Sequence, residues 1–163
     1  MATINSNNLG VYSYDTAMTT PLAVLESSDV AGFTTVANLT NADAPSGVAV
    51  GDINNDGLTD IYFGGNSVGD KLYLNKGNLK FEDISVSSGI STLIGWSTGI
   101  NMVDINQDGW LDIYVCRSGP SKDVYKRTNR LFINNKDNTF TEAAAQYGLN
   151  AATYSIQSAF FDY

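Results

Sequence analysis

One acidic stretch of nine residues occurs twice in this chain with the same internal spacing. The first copy, residues 52–60, reads DINNDGLTD, and the second, residues 104–112, reads DINQDGWLD. Both copies keep an oxygen-bearing side chain at positions 1, 3, 5 and 9 and a glycine at position 6, whereas positions 4, 7 and 8 differ. A loop with this spacing turns tightly, so that alternate side chains point toward one spot. The fold therefore has to accommodate two equivalent acidic loops.

This arrangement of oxygens suits a hard cation. Calcium takes six to eight oxygen ligands at about 2.3–2.6 Å, and a backbone carbonyl at position 7 can join the side chains. The sequence predicts two calcium ions, with water or a bidentate carboxylate completing each shell. The predicted ligands are Asp52, Asn54, Asp56, the Leu58 carbonyl and Asp60 in the first loop, and Asp104, Asn106, Asp108, the Trp110 carbonyl and Asp112 in the second.

Two other interpretations of these loops are weaker. Clusters of Asp, Asn and Gly also form plain turns, but three crowded carboxylates repel one another unless a cation neutralises them. An EF-hand needs a bidentate Glu at position 12 and a helix on either side. Position 12 is Phe63 in the first copy and Val115 in the second, and neither side chain can bind a metal. The loops are therefore expected to join strands.

The segments around both loops predict short β-strands. Residues 47–51, which lead into the first loop, are typical of a strand. Aligning the loops also aligns residues 71–75 with 130–134 and residues 81–83 with 140–142. Each unit thus reads as four antiparallel strands, and 52 residues separate Asp52 from Asp104. Four strands at such a period predict an all-β fold of β-propeller-type blades.

The repeat also predicts the organisation of the chain. A third lead-in, residues 155–162, brings Asp162 to the first ligand position, 58 residues after Asp104. Propellers close with about four to eight blades, so two blades and the start of a third cannot close a ring. Either the chain is a piece of a longer protein, or copies complete one another, and exposed apolar strand edges favour association in both cases. The chain is predicted to begin with residues 1–32, whose structure is uncertain and which carry weak strand signals at 11–14 and 22–25. Residues 33–46 are predicted to contain a closing strand at 33–36 followed by a linker. Two repeats, at 47–98 and 99–154, and a partial repeat at 155–163 follow.

Composition excludes several classes of function. The net charge of −8 argues against nucleic acid as a partner, and no apolar run is long enough to insert into a membrane. Met1–Gly10 shows neither the basic nor the apolar region of an export signal. The chain has no His to complete a catalytic triad and no phosphate-binding glycine loop, so we expect no enzyme and no catalytic residues. Cys116 is the single cysteine and is expected to be a small buried apolar residue.

The motif residues resemble a known repeat. Residues 47–52, GVAVGD, followed by Asn54, Asp56, Gly57 and Asp60, resemble an FG-GAP or VCBS repeat, the unit of integrin-α-type propellers. Residues 95–99 and 112–120 resemble the bacterial branch related to CRTAC and UnbV-like proteins. The resemblance covers residues 33–163 and implies a calcium-stabilised, extracellular propeller that recognises proteins or glycans without chemistry of its own. The chain departs from the family in blade number and in showing no export signal.

The expected function is therefore a non-enzymatic, calcium-binding module for protein recognition, adhesion or assembly. A calcium-dependent glycan-binding propeller is the alternative, because Trp96, Trp110 and the nine tyrosines could stack on sugar rings, although we expect most of them to pack in the β core. The second repeat also carries seven extra residues before its third strand, including Lys122, Lys126 and Arg127. This insertion is either a partner-binding loop or a solvated excursion. The ligand itself cannot be identified from the sequence.

Overall fold

The computed structural model of the chain describes residues 47–66, 68–90 and 94–161. The weak strand signals at 11–14 and 22–25, the closing strand at 33–36 and the ligand position of Asp162 lie outside these residues. The elements of the first unit are β1 (Gly47–Gly51), β2 (Asp60–Gly64), β3 (Lys71–Asn75) and β4 (Phe81–Asp83). Those of the second unit are β5 (Ser97–Val103), β6 (Asp112–Arg117), α1 (Val124–Arg127), β7 (Arg130–Asn134) and β8 (Phe140–Glu142).

The strands form two four-stranded antiparallel sheets with the orders β1-β2-β3-β4 and β5-β6-β7-β8. Each sheet is a simple meander, because short loops allow consecutive strands to pair as hairpins. The predicted all-β fold with four-stranded, unclosed blades is confirmed. One element was not predicted: α1 lies in the insertion between β6 and β7, where the Asp123 side chain caps it by accepting a hydrogen bond of 3.0 Å from the Tyr125 N–H.

The main core lies between the two sheets. Tyr62 and Leu72 of the first sheet pack with Val115 and Phe132 of the second in one buried cluster. A smaller cluster covers the other face of the second sheet and includes Cys116, which is buried as expected. The second sheet is therefore covered on both faces, which explains why all six residues of β6 are buried and why β6 reads as an apolar run.

The first sheet has one core face and one outer face. Val48 and Val50 point outward, with 57% and 61% of their surface exposed. Their counterparts in the second sheet, Ile100 and Met102, contact the main core instead. Half-buried side chains of β2 and β3 extend this exposed surface, and we call the surface formed by the following five residues the outer face. These are Val48, Val50, Ile61, Phe63 and Tyr73.

Close backbone contacts show that the packing of β5 against β1 occurs a second time in the chain. A Cβ on Gly47 would lie 1.9 Å from the carbonyl oxygen of Thr98, and one on its counterpart Gly99 would lie 2.5 Å from that of Ile156. The segment of residues 155–161 therefore lies against β5 as β5 lies against β1. It forms no strand, and Thr98 Oγ1 instead donates a hydrogen bond of 2.8 Å to the Ser155 carbonyl.

A buried polar network joins the sheets at the end opposite the acidic loops. Asp70 is 1% exposed and accepts hydrogen bonds of 2.7 Å from the Tyr62 hydroxyl, the Gly65 N–H and the Ser97 hydroxyl. Arg117, which is fully buried, places Nη2 3.7 Å from Asp70 Oδ2. This ion pair ties the end of β6 to the first sheet.

The second repeat contains the same network with an amide in place of the acid. Asn129, the counterpart of Asp70, accepts a hydrogen bond of 2.8 Å from the Arg117 N–H and donates to Tyr114 and Ser155 at 2.9 Å each. Arg117, Tyr114 and Ser155 occupy the positions that Gly65, Tyr62 and Ser97, the hydrogen-bond partners of Asp70, hold in the first repeat. The first repeat thus holds a buried charge where the second holds a neutral group, and Arg117 supplies the opposite charge.

Candidate metal centres

Each acidic loop closes a hairpin between the first two strands of its sheet. Gly51 pairs with Asp60, and Val103 pairs with Asp112, so both loops begin and end at one rung of the ladder. The sixth positions, Gly57 and Gly109, adopt φ values of 81° and 83°. L-amino acids with a side chain rarely adopt this conformation, and it explains why both copies have glycine there.

The aspartates at position 1 organise the loops in the same way. Asp52 accepts hydrogen bonds from the Gly57 N–H at 2.8 Å and the Asp56 N–H at 3.1 Å. Asp104 accepts from the Gly109 N–H at 2.8 Å and the Asp108 N–H at 2.9 Å. These bonds turn the carboxylates into the loops.

The residues at positions 3, 5 and 7 follow the same scheme. Asp56 accepts from the Leu58 N–H at 2.8 Å, and Asp108 accepts from the Trp110 N–H at 3.0 Å. The side-chain amide of Asn54 donates to Asp56 at 3.0 Å, and the amide of Asn106 donates to Asp108 at 3.2 Å. The structure therefore brings the first three predicted side chains of each loop together. Leu58 and Trp110 contact them through their N–H groups, whereas the predicted ligand atom at this position is the carbonyl oxygen.

The aspartates at position 9 are buried. Asp60 and Asp112 are both 0% exposed. Asp60 accepts from the N–H groups of Ile53 and Asn75 at 2.9 and 2.8 Å, and Asp112 accepts from the equivalent groups at 3.1 and 2.9 Å. Burial raises the pKa of both carboxyls, and the charges of the other two aspartates in the same loop raise it further. Each loop thus holds a buried carboxylate next to two more.

The donor set fits a hard cation. Carboxylate, amide and carbonyl oxygens are ligands that calcium accepts, and the loops contain no sulfur or imidazole. Within residues 47–66, 68–90 and 94–161, no three acidic or sulfur-bearing side chains converge as closely as the ligands of one ion. The two ligand sets stay a prediction that the chemistry of the donors supports.

Sequence reasoning missed the contacts between the two loops. The Asn55 side chain donates a hydrogen bond of 3.1 Å to the Gly109 carbonyl. The Asn134 amide donates to the Ile53 carbonyl at 2.7 Å and to the Leu111 carbonyl at 3.1 Å, so it contacts both loops. The repeat alignment pairs Asn134 with Asn75, but only the packing of the sheets shows that it reaches across.

A lysine near the second loop was missed as well. Lys136 Nζ lies 3.2 Å from Asp108 Oδ2. The corresponding position in the first repeat is Gly77, which has no side chain to do the same. The two candidate sites are therefore equivalent in their ligands and different in their surroundings.

The two tryptophans occupy different places. Trp110 lies in the second acidic loop, Trp96 lies just before β5 at the opposite end of the sheet, and both are half-buried. Neither belongs to the buried clusters, whereas Tyr62 and Tyr114 do. The expected core role therefore applies to these tyrosines and not to the tryptophans.

Residues 52–115, which run from the first acidic loop through β6 as far as Val115, match the family model of the FG-GAP-like repeat. The chain contains an FG-GAP-like repeat. It is also similar to cartilage acidic protein 1 of Xenopus tropicalis, with 35% identity over 77 residues. The aligned part is 47% of this chain and 12% of that relative, so the chain spans only a small part of the relative's length. The resemblance seen in the FG-GAP motif residues is confirmed.

The FG-GAP-like repeat supports a repeat module of the protein-interaction type. Among the described residues, no helix has the length and apolar content needed to cross a membrane.

Proposed function

We propose that this chain is a non-enzymatic, calcium-binding repeat module for protein recognition or assembly, in which each ion stabilises the hairpin that carries its loop. The observation that carries the proposal is the pair of buried carboxylates, Asp60 and Asp112. Buried charges in proteins are normally paired or coordinate a metal, and the hydrogen-bond partners of these two are backbone amides. A divalent cation would offset most of the negative charge that the three carboxylates place in each loop.

The proposed binding is weak. The loops lack the bidentate Glu of sensor sites, so a Kd of about 10⁻⁴–10⁻³ M is expected, as in extracellular modules. At about 10 mM calcium, this affinity would stabilise the folded chain by about 1.4–2.7 kcal/mol per site. Such values suit a compartment rich in calcium, and together with the FG-GAP resemblance they support an extracellular location.

Terbium luminescence tests the two sites separately. Terbium replaces calcium at oxygen sites and emits when a nearby indole transfers energy to it. Trp110 lies in the second loop and Leu58 holds the same position in the first, so sensitised emission should report the second site. Asp108→Ala should abolish the emission, and Asp56→Ala should leave it. The matched control is Glu82→Ala, which removes an exposed acid in β4.

Calorimetry with calcium completes the test. The wild-type chain should bind two ions, each single variant should bind one, and the variant with both substitutions should bind none. Absence of calcium uptake by the wild-type chain, or unchanged uptake by the double variant, would refute the proposal.

We also propose that the outer face of the first sheet is an assembly surface. All five of its residues are counterparts of residues in the second sheet that contact the main core, namely Ile100, Met102, Ile113, Val115 and Phe132. We therefore expect the outer face to pack on a neighbouring sheet. Either the rest of a longer protein or a second copy of this chain would provide that sheet. The solution mass of the chain with calcium and with chelator distinguishes these two sources, because only a second copy gives a defined oligomer.

A further inference from the structure

A cavity of about 250 Å³ opens at the end of the molecule opposite the acidic loops. It lies where β5 begins and β6 ends, and the insertion between β6 and β7 forms one side of it. Binding sites for drug-sized ligands occupy roughly 300–1,000 Å³, so this cavity has room for a single ring. The side chains that matter for recognition are Trp96, Ser118, Pro120, Ser121 and Lys126.

The wall of the cavity is held in place by the backbone. The Ser118 N–H donates a hydrogen bond of 2.9 Å to the Trp96 carbonyl. Gly119, with a φ of 97°, lies directly against the indole, since a Cβ there would be 2.8 Å from the Cβ of Trp96. Any other residue at this position would push the insertion away from Trp96. The flat apolar wall is therefore formed before a ligand arrives.

The charge around the cavity is opposite to that of the whole chain. Five of the nine Lys and Arg residues lie between positions 117 and 130, although the net charge is −8. These five are Arg117, Lys122, Lys126, Arg127 and Arg130.

Three of these cations are already engaged. Arg117 faces Asp70, Arg127 lies 4.7 Å from the centre of the Tyr154 ring, and Arg130 lies 4.3 Å from that of Tyr125. Asp123 is the acid within this segment, and its carboxylate caps α1. Lys126 is exposed and is one of the residues that line the cavity, and its long flexible side chain can bring the ammonium to a ligand there.

These features together define a ligand chemistry. The indole face and Pro120 suit the C–H face of a ring, because aromatic side chains provide rigid apolar surface. The hydroxyls of Ser118 and Ser121 can bond ring hydroxyls, and the ammonium of Lys126 favours a carboxylate. We propose that this cavity binds a carboxylated sugar residue of a glycan, with its ring against Trp96 and its carboxylate at Lys126.

Other anionic partners fit less well. A nucleic acid would meet a chain of net charge −8, and its binding depends on many neutralised phosphates. An acidic peptide could satisfy Lys126, but it would leave the indole wall and the serine hydroxyls without a matching group. Calcium is not required, because the cavity and the acidic loops lie at opposite ends of the strands, so this site goes beyond the calcium-binding function.

The test uses methyl β-glucuronide as the probe and the metal-stripped chain. In a Trp110→Phe background Trp96 is the single tryptophan, so a change in its emission reports binding at the cavity. We expect a Kd of about 1 mM. Methyl β-glucoside, which lacks the carboxylate, should bind about fivefold more weakly, as should the glucuronide to the Lys126→Gln variant. Lys126→Arg keeps the charge and should bind normally.

The control variant is Lys80→Gln, which removes an exposed lysine from the turn between β3 and β4 at the other end of the sheet. It should bind the glucuronide as the parent does. Equal binding of glucoside and glucuronide, unchanged binding in Lys126→Gln, tighter binding of hexaglutamate, or no binding at ten times the expected Kd would each overturn the proposal. Because metal is absent throughout, none of these results depends on the calcium sites.

Discussion

Asp60 and Asp112 show how a single buried carboxylate affects the stability of this fold. Their folded-state pKa values are raised, first by burial and then by the neighbouring aspartates. A carboxyl with a raised pKa binds its proton more tightly in the folded chain than in the unfolded chain. In the absence of metal, its ionisation therefore destabilises the fold.

We predict that the metal-free chain becomes more stable on mild acidification. Stability should rise as the pH falls from 7 through the raised pKa values toward 3.8, where the unfolded carboxyls also protonate. Asp83 acts in the opposite direction, because hydrogen bonds from Ser85 and Lys71 outweigh its burial and lower its pKa, but its contribution is lost only below 3.8. Urea unfolding at a series of pH values from 7 down to 4 measures the effect.

The same scan in excess calcium provides the comparison. Protons then compete with the ion for the same oxygens, so stability should fall over this range. A metal-free chain whose urea midpoint fell or stayed constant over the whole range from pH 7 to 4 would contradict this interpretation of the two buried acids.

At the scale of elements, the two loops form a connected pair. Asn55 and Asn134 bond across them, and Lys136 contacts Asp108 in the second loop alone. An ammonium beside a carboxylate competes with an incoming cation. The second loop should therefore bind calcium more weakly than its sequence alone indicates.

We predict that Lys136→Gln strengthens calcium binding at the second loop by about fivefold, the upper range for a partly exposed ion pair. Competition of calcium against terbium emission through Trp110 measures this site directly. Lys80→Gln, in the equivalent turn of the first sheet, should leave the second site unchanged. If both variants bound calcium like the parent at this loop, Lys136 would have no part in its affinity.

The buried network gives a second prediction at this scale. Asp70→Asn leaves the fully buried Arg117 without its opposite charge, and breaking a buried pair costs about 3–5 kcal/mol. Adding Arg117→Met removes the second charge, so the double variant should be more stable than Asp70→Asn alone. Urea unfolding of the two single variants and the double variant forms the cycle. Additive losses would show that the pair is not coupled.

The repeat allowed the strands to be predicted from the sequence, but it gave no indication of helix α1, the buried ion pair or the cavity. The alternating residues of β1 and the alignment of β3 with β7 are enough to predict these strands from the sequence alone. Helix α1 has four residues inside an insertion, which is too short for a periodic signal. The exchange of Asp70 for Asn129 was visible in the alignment, but its meaning depends on Arg117, whose own counterpart is Gly65. The cavity likewise joins Trp96 to an insertion that sequence reasoning treated separately.

For the whole molecule, the outer face determines how chains meet. We predict that Val50→Lys, at a position 61% exposed, reduces self-association, because it puts a charge into a surface proposed to pack on another sheet. Its effect on fold stability should stay within about 0.5 kcal/mol. Sedimentation velocity measures the change. Val86→Lys, at a position 77% exposed outside this face, is the matched control, and equal behaviour of the two variants would exclude the outer face.

The two sheets present different outer surfaces, and this difference affects how copies of the chain could assemble. The outer face of the first sheet and the side of the second sheet that contacts residues 155–161 are unlike surfaces. A contact that joins the outer face of one copy to this second side of the next copy would be heterologous rather than two-fold symmetric. Such contacts generate a ring only if the rotation per subunit divides a full circle, and otherwise they grow into a filament. The angle between neighbouring sheets would therefore decide whether the assembly has a fixed number of subunits or an open length.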